Sequence, residues 1–165
     1  MRVIDYNGEG EWSREAIVAR YLEYAKKFKV SHPRDIAPQE HISGEIRWIY
    51  PVMQSVIDGI MAGDEACKWI GIEFVEQDSR FSFGRILKAN TARALRRAAL
   101  SADQVNRLRH RFSHMLLREN VPREYREYAK LLKRIGLGEL RAQIDAGVNR
   151  NNRYVMRYYN SLTGA

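Results

Sequence analysis

Acidic residues are scarce in the second half of this 165-residue chain, where Gly84–Ala165 holds 6 Asp and Glu against 18 Lys and Arg. Met1–Phe83 reverses the balance, with 14 acids and 10 bases. Cysteine is nearly absent as well: Cys67 stands alone, so no intramolecular disulfide can form. The longest apolar stretch, Ile46–Met53, is broken by Arg47 and Pro51 and falls far short of the ~20 residues needed to cross a bilayer. Met1–Trp12 carries Arg2, Asp5, Glu9 and Glu11 where a signal peptide would need an apolar run. These absences predict a cytoplasmic protein with no membrane partner.

Catalytic signatures are missing too. There is no Gly-x-Gly-x-x-Gly, no Gly-Lys-Ser/Thr phosphate loop, no Cys-x-x-Cys and no His-Glu-x-x-His. Dinucleotide folds, Walker ATPases, zinc ribbons and zincins therefore lose their usual markers. No catalytic residue, metal or cofactor is expected.

What is present is an ordered globular composition, 45% hydrophobic and 29% charged with 4 prolines and no low-complexity tract. The length suits one domain spanning 1–165, with an acidic first half (1–83) and a basic second half (84–165). Ser82-Phe83-Gly84 marks the switch without the composition of a linker. The dominant period is helical. Ile17, Tyr21, Tyr24, Ala25 and Phe28 make one stripe after a Ser13 cap, and Val30–Gln39 reads as a proline-marked connector. From about Ser43, Ile46, Ile49, Met53, Val56, Ile57 and Ile60 predict a broad central helix that Pro51 kinks or opens. Asp64 caps the next segment, and Ile70–Val75 reads as helix rather than strand. Further helices follow over about Gly84–Ala99, Ala102–Leu117, Pro122–Ile135 and Val148–Leu162, with a short piece near Glu139–Ala146. Ser101 and Gln104 have capping-box spacing and Gly136 stands where a C-cap would. The expected fold is all-α: a compact bundle or short solenoid-like stack of six to seven antiparallel helices.

On these helices the bases line up. Arg85, Lys88, Arg93 and Arg96 lie opposite Leu87 and Ala94, and Arg107, Arg111, His114 and Arg118 recur at i, i+4, i+7 and i+11. Arg123, Arg126, Lys130 and Arg134 oppose Tyr125, Tyr128 and Leu132, while Arg150, Arg153 and Arg157 with Tyr154 oppose Val155 and Tyr159. Every amphipathic helix has a charged outer face, but a plain solvated surface would interleave acids. Aligned cations supply the counterion-release energy of nucleic-acid binding, and Arg grips phosphate through two hydrogen bonds. Asn149–Asn160 interleaves Arg, Asn and Tyr, the types that stack on exposed bases and bond their edges; docking of the tyrosines on the core is the structural alternative. Phe81-Ser-Phe-Gly84 reads as a contact loop or as a staple for the following helix.

Weaker constellations are also visible. His110 and His114 sit at i, i+4 but among arginines that oppose a divalent cation, and Glu40, His41 and Glu45 form a small acid-base cluster near Asp58 and Asp64. Cys67 reads as core, and Asn90 and Thr91 as polar groups needing partners, either bonded to a neighbouring helix, the commoner case, or lining a ligand pocket. The leading expectation is a non-enzymatic binder of an anionic partner, nucleic acid and RNA first. One alternative is an adaptor that docks on an acidic protein surface or self-associates as a homo-oligomer; another is a small helical enzyme with a His/carboxylate site.

Overall fold

Residues 1–78 and 83–164 are described by a computed structural model. Helix dominates: α1 (Arg14–Lys27), α2 (Met53–Met61), α3 (Glu65–Gln77), α4 (Gly84–Arg97), α5 (Ala102–Leu117), α6 (Tyr125–Ile135), α7 (Arg141–Gly147) and α8 (Arg153–Thr163). None of the described helices is long and apolar enough to cross a membrane. The chain divides into two units, Met1–Ala98 and Ala99–Ala165.

The first unit corrects the all-α expectation. A three-stranded sheet of order β1-β3-β2 is built from β1 (Arg2–Asp5), β2 (Glu40–Ser43) and β3 (Ile46–Ile49). β2 and β3 pair antiparallel across the two-residue turn Gly44-Glu45, where Gly44 takes the positive φ of 58° that such a turn demands. β1 joins β3 in parallel. The central helix expected from Ser43 is therefore strand to Ile49 and helix only from Met53. Ile46 and Ile49 fit a helical spacing as well as a strand, so a short apolar run is ambiguous. Pro51 decides the matter: it disfavours helical geometry at Tyr50 and has no N–H to give, so the helix opens after it.

Helix α3 fills the middle of this unit and packs against α1, α2 and α4. Ala66, Cys67, Ile70, Ile72, Phe74 and Val75 are all buried, which is why its apolar residues face several directions rather than one. The segment Ile70–Val75 is helix, as its flanking spacing predicts. Asp64 caps α3 by accepting from the Cys67 N–H at 3.0 Å and also accepts from the Tyr21 hydroxyl at 2.6 Å. Burial and this carboxylate push the Tyr21 hydroxyl up to about 12. Burial likewise pushes the Cys67 thiol far up, and the side chain lies in the core. Trp12 is buried with its ring edge-on to Phe74 at 5.0 Å and donates to Gln77 Oε1 at 2.9 Å.

In the second unit, α5 packs against α6 and α7, and α6 against α8. Ser101 and Gln104 form the expected capping box on α5, with both reciprocal hydrogen bonds present. Gly136 caps α6 with φ 79°, and Arg109 reaches from α5 to donate to the carbonyls of Gly136 at 2.8 Å and Ile135 at 2.9 Å. These are the carbonyls a helix end leaves without partners.

Gly59 sits where α2 lies close against α3: a Cβ there would overlap Cys67 Sγ and lie 3.0 Å from Cys67 Cβ. Alanine gains ~1 kcal/mol of helix propensity over glycine, but overpacking a core costs about 1–3 kcal/mol. Gly59→Ala is expected to be destabilising on balance, lowering the urea midpoint. An unchanged or higher midpoint would contradict this close contact.

Candidate nucleic-acid interface

The bases of α4 belong to the first unit. That unit holds 15 Lys and Arg against 14 Asp and Glu. Lys88, expected on the outer half of the helix, is instead buried at 4% exposure, with its Nζ 2.6 Å from Asp78 Oδ1. Arg85 and Arg93 are exposed and Arg96 is half-buried. Arg93 donates to Asn90 Oδ1 at 2.7 Å, and Thr91 bonds back to the Leu87 carbonyl, which resolves the polar pair on this helix as structural.

The second unit holds 13 bases against 6 acids. Its helices present them unequally. On α5 the outer ridge is Asp103, Asn106, His110 and His114, all exposed. Arg107 and Arg111 are half-buried, so the expected stripe through them is not the outermost line of the helix; Arg118, just past its end, is exposed. Helix α5 packs against both α6 and α7, which narrows the side it leaves to water.

Helix α6 has the cleanest division. Tyr125, Tyr128, Leu131 and Leu132 are buried, whereas Arg126, Lys130, Lys133 and Arg134 are exposed, and no other residue of the helix is. Arg123, just before it, extends the row. Lys130 pairs with Glu127 at 3.2 Å. Arg118, Arg123, Arg126, Lys133 and Arg134 have no ion pair among the described residues. Lys133 was missed in the sequence, although its spacing from Arg126 and Lys130 places it on the same face.

Helix α8 has no acidic residue, and its exposed face is Arg153, Tyr154, Arg157, Asn160 and Ser161. Val155 and Tyr159 point inward, as expected. The acids nearby are engaged. Glu119 accepts from the side-chain amides of Asn149 and Asn152, both at 2.9 Å. Asp145 accepts from the Tyr159 hydroxyl at 2.8 Å and pairs with Arg141 at 3.1 Å. Arg150 donates to the Asp145 carbonyl and lies over the Tyr159 ring at 5.2 Å. Asn152 also caps α8, accepting from the N–H groups of Tyr154 and Val155.

Compared with protein-family models, curated proteins and solved structures, the chain matches none. The geometry therefore stands by itself.

The smaller constellations are not assembled into sites. Glu40 and His41 are consecutive on β2, so their side chains leave opposite faces of the sheet. Glu40 forms a bidentate pair with Arg47, and His41 stacks on Trp48 at 5.4 Å. Asp58 accepts from Gln54, one turn earlier on α2. Among the described residues no three His, Cys, Asp or Glu side chains gather as a metal site, His110 and His114 included. Of the Phe81–Gly84 segment, Phe81 and Ser82 lie outside the described residues. Phe83 packs edge-on to Tyr6 at 5.0 Å and leads into α4.

Hydrogen bonds from the two asparagines hold the Glu119 carboxyl below its ordinary 4.5, and the Tyr159 hydroxyl and Arg141 hold Asp145 below its ordinary 3.8. A carboxyl whose pKa is lower folded than unfolded stabilises fully above its unfolded value and loses that contribution as pH falls through the folded one. The melting-temperature deficit of Glu119→Ala relative to the parent should thus be full at pH 7 and shrink as pH falls below 4.5. An equal deficit at pH 7 and pH 3 would contradict the charged clamp.

Proposed function

We propose that the Ala99–Ala165 unit binds nucleic acid, RNA ahead of DNA, as a non-enzymatic module. The observation that carries this reading is the exposed face of α6, composed wholly of Arg126, Lys130, Lys133 and Arg134 and prolonged by Arg123. A row of cations in which Lys130 alone has an acid partner among the described residues repels itself in isolation and is relieved by a polyanion, whose bound counterions are released. Arginine predominates, and its planar guanidinium can take a phosphate through two donors. RNA is preferred because α8 adds Arg153, exposed Tyr154 and Arg157, side-chain types suited to unstacked bases.

Binding should weaken steeply with salt. For a 20-nucleotide single-stranded RNA followed by fluorescence anisotropy, replacing Arg123, Arg126 and Arg134 together by Gln should flatten log K against log salt by up to ~2.1, about 0.7 per lost phosphate contact. Salt-insensitive binding, or a slope the triple variant leaves unchanged, would overturn the reading. Binding of an acidic protein or self-association in place of RNA would point to an adaptor instead.

A further inference from the structure

Tyr154 is the most conspicuous side chain on α8 that the fold does not use. It is 56% exposed, while the other tyrosines of this helix are half-buried or buried: Tyr158 meets Tyr125 edge-on at 4.9 Å, and Tyr159 is bonded to Asp145. Its neighbour Arg153 lies over its ring at 4.8 Å and donates to its hydroxyl at 2.8 Å, so the ring is held by a cation rather than by the core. A phenol ring left in water loses the ~1.5–3 kcal/mol that burying a large side chain brings. A partner with a flat surface stacked on the ring would recover that burial.

The surroundings say what that partner is. α8 has no acid, Arg157 follows one turn after Arg153, and both Glu119 and Asp145 are tied up by hydrogen bonds from the protein itself. The same bonds engage the side-chain amides of Asn149 and Asn152, while Asn151 and Asn160 stay exposed. Around Tyr154 itself, Arg153 and Arg157 offer a ligand charge and a stacking face. That pair of features tracks a phosphate backbone while accepting bases of any identity, and it requires bases that are not already paired and stacked.

We infer that the strand recognised is single-stranded, with a base stacked on Tyr154 beside the Arg153 guanidinium and a flanking phosphate on Arg157. This rests on the nucleic-acid reading above and narrows it. The test compares the parent, Tyr154→Ala and Tyr154→Phe against three probes in the full chain: a U20 RNA, a 20-base-pair RNA duplex and heparin, a polyanion without bases. Tyr154→Ala should weaken U20 binding about 5- to 150-fold, the range of one base–aromatic stack, and leave duplex and heparin binding within about twofold. Tyr154→Phe, which keeps the ring and loses only the hydroxyl, should bind U20 as the parent does. Far-UV circular dichroism matching the parent establishes that the exposed substitution has not unfolded α8. Unchanged U20 binding by Tyr154→Ala, or an equal loss on all three probes, overturns the stacking assignment while salt-dependent binding upholds the broader reading. Failure of the parent to bind any of the three overturns both.

Discussion

The burial of Tyr125 sets how the second unit presents itself. Its ring is fully buried, its hydroxyl donates to the Phe112 carbonyl of α5 at 2.8 Å, and its face meets Tyr158 of α8. One turn on, Tyr128 stacks on Phe112 at 4.6 Å. Helix α6 is thereby fixed in rotation by contacts to both helices it packs against, and the opposite side must face water. Burying each aromatic is worth ~1.5–3 kcal/mol, whereas exposed ion pairs contribute ~0–1 kcal/mol. Packing therefore decides the orientation of α6, and the row of bases follows from it.

The charge of this unit is concentrated as much by what its acids do as by where its bases lie. Glu119 and Asp145 accept hydrogen bonds from Asn149, Asn152 and Tyr159, and Glu124 and Glu127 are buried. Carboxylates used in this way hold the second unit together and are not spread along its α8 surface. At physiological salt a charge is felt over ~8 Å, so cations one helical turn apart act together on a ligand.

The first unit handles charge in the opposite manner. Its α4 is as rich in arginine as the later helices, yet it packs against α2 and α3 and sends Lys88 inward to Asp78. A change of composition at residue 84 thus does not coincide with the change of unit at residue 99. Counting charges along the chain groups α4 with the basic half, but it belongs to the unit of nearly balanced charge, where the buried Lys88 ammonium is neutralised by Asp78.

Much of the helical framework was legible in local signals. Ser13, Asp64 and Ser101 cap where their spacing placed them, Gly136 ends α6, and the inner stripes of α6 and α8 are those the 3.6-residue period picks out. The strands were missed because each is four residues long and β1 joins the β2-β3 hairpin from a distant segment; Ser43-Gly44 before a β-branched and aromatic run was the available sign. Among the basic residues, periodicity located Arg126, Lys130 and Arg134 correctly but placed Arg107 and Arg111 too far out, since a helical wheel does not show which flanks the neighbouring helices take. The sequence by itself determined which side of each helix is apolar, because that depends only on residue type and helical pitch. Only the tertiary structure decided which polar sides stay open and which acids remain to oppose them, because those depend on neighbours that meet across tens of residues.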